Sequence, residues 1–162
     1  MALTRVEVLF VGGMARLTLG MGVDGRKYVI RELLRRNLFR WRLHRGFVRG
    51  TRIVSSMEHG YRGLVPYEIL EYIDGDSLRR RIQRRDRVVE EHSFDILCQA
   101  AVALAHVHEQ GYIHLDVKPE NFVVTTEGDD VTVKLTDFDL TQPTQTKQTS
   151  RMSGTEVFLA PE

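Results

Sequence analysis

The chain has 162 residues, of which 42% are hydrophobic and 28% are charged, and its net charge at pH 7 is +1. This balance is typical of globular proteins and excludes collagen-like, mucin-like and wholly disordered chains. The one cysteine, Cys98, cannot form an internal disulfide, and no apolar run reaches the roughly 18 residues needed to span a bilayer. The first residues carry no secretory signal pattern, so we expect a cytoplasmic protein of one domain or two small lobes.

Alternating apolar residues predict strands in the first part of the chain. These strands are predicted over 6–10, 16–21, 27–33 and 67–73. Turns are predicted at Gly12-Gly13, at Val23-Asp24-Gly25 and at Asp74-Gly75. The span 35–57 is long enough for a helix, although each glycine in its middle weakens a helix by about 1 kcal/mol relative to alanine.

The second part of the chain begins with a helix and continues with short strands. Ser93 is a predicted N-cap, apolar residues then recur three and four apart, and Gly111 is a predicted C-cap. Strands follow over 122–125 and 131–135, and a surface loop rich in Thr, Ser and Gln is predicted over 141–153. A strand-rich part followed by a helix-led part predicts an α+β fold in two lobes.

Arginine is unevenly distributed along the chain. It accounts for 19 of the 23 basic residues, and seven of them lie within 33–57, a span without any acid. Six more lie within 79–87. Such clusters bind nucleic acid, anionic membranes or phosphorylated partners, or they are solvated helix faces balanced by acids elsewhere. We favour solvated faces and expect no nucleic-acid partner, because few aromatic residues are interleaved and no nucleic-acid-binding motif is present.

The segment 113–121 carries the clearest chemistry, and it lies on a loop, where catalytic groups usually occur. Asp116 can accept a hydroxyl proton, Lys118 can balance phosphate charge, and Asn121 can ligate a hard cation through its amide oxygen. Asp137 leaves a short predicted strand sixteen residues after Asn121 and can share that cation.

These residues resemble three motifs of the eukaryotic-type protein kinases, most closely those of the bacterial serine/threonine branch. The family's H-R-D-x-K-P-E-N loop is matched by 114–121, its D-F-G by 137–139 and its G-T-x-x-[FY]-x-A-P-E by 154–162. The resemblance implies a protein-kinase-like, two-lobed α+β fold. Its strand-rich N-lobe would span 1–73 and a truncated C-lobe 74–162.

The resemblance also implies that the protein uses ATP and Mg2+. Its implied roles are Asp116 and Lys118 in catalysis and Asn121 and Asp137 as metal ligands. Its implied nucleotide contacts are Gly12 and Gly13 of a glycine-rich loop, Arg31 at the phosphates, Glu71 and Ile73 of the hinge, and Leu17, Val29 and Val123 around adenine. The three apolar residues are equally compatible with ordinary core positions.

Several residues depart from the family pattern. Arg31 stands where the family has a lysine, so the charge is kept but the compact ammonium is not. The helix glutamate that pairs with this lysine aligns with Gly50, and no acid lies within 33–57, so we expect that ion pair to be lost. Leu115 replaces an arginine, and Asp139 replaces a glycine and adds a negative charge beside the cation.

Two further departures concern whole elements. The span 59–71 leaves little room for both middle strands of the N-lobe, so we expect one of them to be shortened or absent. The sequence stops at the A-P-E motif, which predicts an uncovered apolar face on the helix 93–110. Such a face predicts either pairing with another chain, for example in a homodimer, or a cut chain.

Two functions follow from this pattern. The first is a serine/threonine protein kinase that transfers phosphate from ATP to protein hydroxyls with weakened activity. The second is a pseudokinase that binds a regulatory partner through the basic residues of 35–52. A small-molecule phosphotransferase is a third and less favoured function. In each case we expect His114 to pack against Phe138 rather than to titrate in catalysis.

Overall fold

The computed structural model describes residues 2–12, 15–34, 50–145 and 158. They form two compact units. The first unit takes its described residues from Met1–Gly46 and Ser55–Tyr72, and the second from Phe47–Val54 and Ile73–Glu162. Within the described ranges, no helix has the length and apolar character that crossing a membrane demands.

The described part of the first unit is one antiparallel sheet of five strands, in the order β1-β2-β3-β5-β4. The strands are β1 (Leu3–Val11), β2 (Ala15–Gly22), β3 (Lys27–Leu33), β4 (Ser56–Arg62) and β5 (Val65–Glu71). The four predicted strands are therefore confirmed, although β5 begins and ends two residues before the predicted 67–73. Gly25 lies in the β2–β3 turn with a φ of 76°, which favours glycine, so the predicted hairpin turn is also confirmed.

The segment leading into β4 corrects two expectations. β4 and β5 have seven residues each, so the expectation that one middle strand is shortened or absent is wrong. β4 begins at Ser56, earlier than the sequence pattern indicates. The helix expected over 35–57 is wrong at its described end, because Gly50 begins a turn in which the Ile53 N–H bonds to the Gly50 carbonyl at 3.1 Å. The rest of that span, 35–49, lies outside the described residues.

The two faces of this sheet differ in burial. On one face the buried side chains are Thr18, Tyr28, Ile30, Glu32 and Ile69. The alternate residues Leu17, Val29 and Arg31 are half-buried on the other face, because successive side chains of a strand point to opposite sides. The half-buried face therefore carries the strand residues that were predicted to contact the nucleotide.

The described part of the second unit combines three helices with two small sheets. Its elements are β6 (Asp76–Ser77), α1 (Leu78–Gln83), α2 (Arg87–Glu91), α3 (Ser93–Glu109), β7 (Tyr112–Ile113), β8 (Phe122–Glu127), β9 (Asp130–Leu135) and β10 (Gln142–Pro143). One sheet has the order β6-β8-β9, and β7 pairs with β10 in the other. The core consists of Ile53, Ile96, Ala103, Val107, Phe122, Val124, Val133 and Leu135. The strands predicted over 122–125 and 131–135 are thus confirmed.

Helix α3 supplies one side of this core and leads to the chemistry-bearing loop. Its buried residues Ile96, Ala103 and Val107 follow the predicted apolar spacing. Gly111 follows the helix with a φ of 81°, which confirms the predicted glycine C-cap. The predicted N-cap is wrong by one residue, because His92 is the N-cap and its carbonyl accepts the Ile96 N–H at 2.9 Å.

Five of the six arginines of the second cluster, within 79–87, are paired with acids. The ion pairs are Arg79–Glu120, Arg80–Asp76, Arg84–Asp76, Arg84–Asp86 and Arg87–Glu91, at distances between 2.7 and 3.9 Å. Arg81 is buried, where it pairs with Asp86 at 3.1 Å and donates to the Val124 carbonyl at 3.1 Å. For this cluster the interpretation as faces balanced by acids is confirmed. Most of the first cluster lies outside the described residues.

Candidate active site

The segment 113–121 lies between α3 and β8 and is fixed at both ends. At its start, Ile113 in β7 pairs with Gln142 in β10. At its end, Pro119 opens a single 3₁₀ turn, a position where its missing N–H is not needed. The Asn121 N–H closes this turn by donating to the Lys118 carbonyl at 3.0 Å. The loop therefore presents its side chains from a constrained backbone.

Asp116, Lys118 and Asn121, which the sequence predicted for three separate roles, lie together in the structure. Lys118 Nζ lies 2.7 Å from Asp116 Oδ2. Asn121 Nδ2 donates to Oδ2 of the same carboxylate at 3.1 Å and to the Asp116 backbone carbonyl at 2.8 Å. Asp116 and Asn121 are buried. The ammonium of Lys118 compensates the carboxylate, which would otherwise be costly to bury.

His114 has a structural role beneath this carboxylate. Its Nδ1 accepts the Asp116 N–H at 3.3 Å, so its Nε2 carries the proton and donates to the Thr136 carbonyl at 3.1 Å. Burial lowers the pKa of His114 from its ordinary value, so the ring is neutral at pH 7. It contacts the Phe138 ring edge-to-face, with 5.0 Å between ring centroids. The expected packing of His114 against Phe138 is therefore confirmed.

Asp137, the predicted second metal ligand, is tied to the first through its neighbour Thr136. The Asn121 carbonyl accepts the Thr136 N–H at 2.8 Å and the Thr136 hydroxyl at 3.1 Å. Asp137 itself is exposed and has a φ of 58°. Asp137 therefore directly follows a residue that donates two hydrogen bonds to the Asn121 carbonyl.

Two features of this site were not indicated by the sequence. Leu115 also adopts a left-handed backbone, with a φ of 63°, a conformation that is uncommon outside glycine and often occurs at functional sites. Thr141 is buried and donates its hydroxyl to the His114 carbonyl at 3.4 Å. No pattern marks Thr141, since the sequence shows it only as the start of a polar loop.

Asn121 and Asp137 carry the amide and carboxylate oxygens that magnesium prefers as ligands. Among the described residues, no group of three or more His, Cys, Asp or Glu side chains is arranged to hold a metal. Magnesium in phosphotransferases is usually bound by one or two protein oxygens, with phosphate and water supplying the rest. The Asn121 amide directs its nitrogen at Asp116, which leaves its oxygen as the ligand atom. A hard cation suits this donor set.

In the first unit, Gly12 of the predicted glycine-rich loop and Glu71 of the predicted hinge lie at strand ends. Gly12 follows β1, and a Cβ atom there would lie 2.6 Å from the Phe10 ring, so glycine allows that ring to cover the backbone. Gly13 lies outside the described residues. Glu71 ends β5, where its N–H donates to the Ser55 carbonyl at 3.0 Å and its carboxylate accepts the Ser55 N–H at 2.7 Å.

The environments of Arg31 and Gly50 differ from those expected. Arg31 Nη1 lies 3.5 Å from Glu68 Oε2 on the neighbouring strand β5, so the cation has an acidic partner within the sheet. Gly50 begins a turn and does not lie in a helix. Gly50 belongs to the second unit, where a Cβ atom would lie 2.6 Å from the His106 ring of α3.

A five-stranded sheet precedes a loop that carries a buried aspartate, a lysine and an asparagine. This combination is typical of a protein-kinase-like α+β fold. Residues 30–162 match the family described as the protein kinase domain. The chain belongs to this family, and the resemblance drawn from its motifs is confirmed. The match begins within β3, so β1 and β2 lie outside it.

Curated bacterial kinases are similar to this chain over part of their length. A probable serine/threonine-protein kinase of Clostridium acetobutylicum is 32% identical over 113 residues, which are 68% of this chain and 17% of that protein. The serine/threonine-protein kinase PknA of Mycobacterium tuberculosis is 34% identical over 103 residues, covering 62% and 23%. PknB of Mycobacterium leprae is 27% identical over 174 residues, covering 96% and 28%. The chain spans less than a third of each of these relatives.

Proposed function

We propose that the chain binds ATP with Mg2+ and transfers the γ-phosphoryl group to serine or threonine hydroxyls of a protein substrate, at a reduced rate. The observation that carries this proposal is the Asp116 carboxylate, positioned by Lys118 at 2.7 Å and by Asn121 at 3.1 Å. Phosphotransfer to a hydroxyl requires such a carboxylate near a cation. The names of the similar bacterial kinases support Ser/Thr as the acceptor.

Each residue of the loop has a role that its surroundings support. Asp116 orients the substrate hydroxyl and accepts its proton. Lys118 balances the charge of the transferred phosphoryl group. Asn121 and Asp137 would hold Mg2+, which, when bound, neutralises phosphate charge. Because phosphoryl transfer depends mainly on positioning and on charge neutralisation, these four residues provide the main requirements of the reaction.

The nucleotide contacts are proposed for each unit separately. In the first unit they are Gly12, Gly13, Leu17, Val29, Arg31 and Glu71, and in the second they are Ile73 and Val123. Leu17, Val29 and Arg31 share the half-buried face of the five-stranded sheet. Val123 is half-buried and alternates along β8 with the core residues Phe122 and Val124, so it lies on the side away from that core. Apolar surface outside the core is what an adenine ring would contact.

Three substitutions reduce the expected rate. Arg31 has a different shape from the family's lysine and cannot replace it without a change in geometry. Asp139 adds a negative charge two residues after the metal ligand Asp137, where it competes with phosphate for the cation. Leu115 replaces a basic residue, so a phosphate on the following segment would lack that basic partner.

Nucleotide binding is the first test, measured as the shift in melting temperature of the purified chain with ATP, with and without Mg2+. A ligand at a hundred times its Kd stabilises the native state by about 2.7 kcal/mol. We expect a Mg2+-dependent shift, and transfer from radiolabelled ATP to casein that is lost in Asp116→Asn. Asp129→Asn, on the exposed β8–β9 turn, is the matched control and should retain transfer.

A pseudokinase that serves a regulatory partner is the second candidate, and Asp139 favours it because its negative charge repels the phosphates of ATP. It predicts an ATP shift that is independent of Mg2+, or no shift, and no transfer at millimolar ATP. The basic partner surface suggested for it, 35–52, lies mostly outside the described residues. Transfer that disappears in Asp116→Asn would exclude this candidate.

Localisation and self-association are further parts of the proposal. We expect a cytoplasmic protein, because the proposed reaction consumes ATP, which is cytoplasmic. Helix α3 exposes Phe94, Leu97 and Val102, with 76%, 65% and 56% of their surface accessible. A homodimer covering this face stays a prediction. Light scattering should then show a dimer that Leu97→Asp converts to a monomer.

A further inference from the structure

One acid of the first unit has no role in the proposed function. Glu68 lies on β5, in an otherwise mostly apolar strand, and it is directly opposite Arg31 on β3. Arg31 Nη1 lies 3.5 Å from Glu68 Oε2, and only 11% and 14% of the two side chains are exposed. A largely buried ion pair contributes little net stability, because desolvation offsets the attraction between the charges. Such an ion pair fixes the geometry of its two side chains more than it stabilises the sheet.

We propose that Glu68 is the positioning residue of Arg31 and directs its guanidinium toward the phosphates of ATP. This inference rests on the proposed function, in which Arg31 takes the place of the family's phosphate-binding lysine. In the family pattern a helix glutamate pairs with that lysine, but the span 33–57 contains no acid. The sheet itself supplies the negative charge that this span lacks.

Backbone pairing fixes the position of this ion pair. Residues directly opposite each other on antiparallel strands have Cβ atoms about 4.5–5.5 Å apart, so Arg31 and Glu68 are neighbours wherever β3 and β5 are paired. On its other side Arg31 is opposite the apolar Leu17 of β2. The next residue on the same face is Val29, which is opposite Leu70. Within these rows of described residues, Glu68 is thus the acid beside Arg31, and the residue opposite Glu68 on its other side is His59 of β4.

The chemistry of arginine suits this arrangement better than that of lysine. A guanidinium has five N–H donors in a planar fork, so it can bind a carboxylate along one edge and a phosphate oxygen with another donor. An ammonium is a point charge on a flexible stem, and its direction is not fixed by a single carboxylate in the same way. The replacement of lysine by Arg31 and the acid at position 68 are therefore parts of one arrangement.

The strand β3 also provides a matched control. Glu32 follows Arg31 but lies on the opposite, buried face, where it pairs with Arg5 and, at 3.6 Å, with Arg62. Its side chain is 10% exposed, similar to the 14% of Glu68. Glu32→Gln thus removes an equally buried acid from the same sheet without touching the proposed phosphate-binding cation.

The test measures the Kd for ATP in the presence of Mg2+, together with the melting temperature without nucleotide, for the whole chain. Glu68→Gln should raise the Kd about tenfold, which corresponds to about 1.4 kcal/mol. Glu68→Asp should recover part of that loss, whereas Glu32→Gln should lower the melting temperature and leave the Kd unchanged. In an Arg31→Gln background, Glu68→Gln should have no further effect on the Kd, because the two residues act as one unit.

The outcomes separate this inference from the proposed function. If the unchanged chain binds no ATP, both are wrong. If it binds ATP but Glu68→Gln changes only the melting temperature, as Glu32→Gln does, the ion pair is purely structural and this inference alone fails. Tighter binding in Glu68→Gln would also overturn it, because Glu68 would then compete with phosphate for Arg31. Independent, additive effects of the Arg31 and Glu68 substitutions on the Kd for ATP would also overturn this inference.

Discussion

Thr136 donates both its backbone N–H and its hydroxyl to a single acceptor, the backbone carbonyl of Asn121, at 2.8 and 3.1 Å. The Asn121 side chain in turn donates twice to Asp116. The aspartate proposed to accept a proton and the proposed metal ligand Asn121 therefore belong to one hydrogen-bonded network, and Asp137 directly follows its member Thr136. Networks of this kind couple the positions of their members.

The hydroxyl of Thr136 can be removed without changing the shape of the side chain. Thr136→Val should lower the free energy of unfolding by about 1 kcal/mol, because it deletes one hydrogen bond. It should also reduce the Mg2+-dependent part of the ATP-induced melting shift, since Asp137 would lose the support of its neighbour. Thr132→Val, exposed on β9, is the control and should change neither quantity. An unchanged metal dependence in Thr136→Val would show that this link does not position Asp137.

Asp137 should separate metal binding from stability. Its side chain is exposed, so Asp137→Asn should leave the melting temperature of the nucleotide-free chain within a degree or so of the original, as is usual for surface substitutions. The same variant should lose most of the additional stabilisation by Mg2+ with ATP, because one of two proposed oxygen ligands loses its charge. A titration of Mg2+ at fixed ATP measures this loss. A metal-dependent shift equal to that of the unchanged chain would contradict the assignment.

His114 predicts a specific dependence of stability on pH. Burial lowers its pKa in the folded state below the ordinary value of about 6.5, which applies to the unfolded chain. Below about pH 6.5 the unfolded state therefore binds more protons, and the free energy of unfolding falls as the pH decreases toward the folded-state pKa. Above that pH both states are neutral at this residue, so His114 contributes no slope.

Urea denaturation between pH 7.5 and 5.5 measures this effect. The contribution of His114 should approach about 1.4 kcal/mol per pH unit where only the unfolded state is protonated. His114→Gln should remove that part of the slope, whereas His108→Gln, exposed on α3, should keep it. Parallel profiles for the unchanged chain and His114→Gln would show that burial of His114 does not control stability in this range.

The arrangement of the proposed catalytic loop could be predicted from the sequence because its interactions are short in range. Asp116, Lys118 and Asn121 lie within six residues, and a proline that starts a tight turn between them restricts how the loop can fold. Alternation of apolar residues likewise located the first strands, because the period of two is a local property of each strand. Arrangements that depend on local spacing can therefore be predicted from the order of the residues.

The partners of Arg31 and Gly50 could not be predicted in the same way. Glu68 meets Arg31 through the register of β3 with β5, which joins two separate hairpins and is not fixed by a turn or by sequence spacing. The sequence around Gly50 predicts a helix, because neither Gly46 nor the charge pattern indicates the turn that precedes Ile53. Gly50 is instead constrained by its close approach to His106 on α3, a residue far from it in sequence.

Gly75 is the glycine whose replacement should be most costly. It follows the predicted hinge at Ile73, where its N–H donates to the Ile73 carbonyl at 2.9 Å. A Cβ atom at this position would lie 2.5 Å from the Val124 backbone oxygen and 2.8 Å from Thr125 Cγ2. Backbone atoms of a paired strand cannot move aside as a flexible side chain can, so Gly75→Ala should force β6 away from β8 and destabilise the second unit by about 1–3 kcal/mol.

Gly50→Ala provides the comparison for this prediction. There the added Cβ atom would meet the His106 ring, the end of a half-buried side chain, rather than backbone. A rotation of the His106 side chain can relieve the contact, so the loss in the free energy of unfolding should be smaller than for Gly75→Ala. Urea denaturation of both variants measures the difference. Equal losses would mean that β6 adjusts as easily as a side chain, and that close packing of Gly75 on β8 does not fix the start of the second unit.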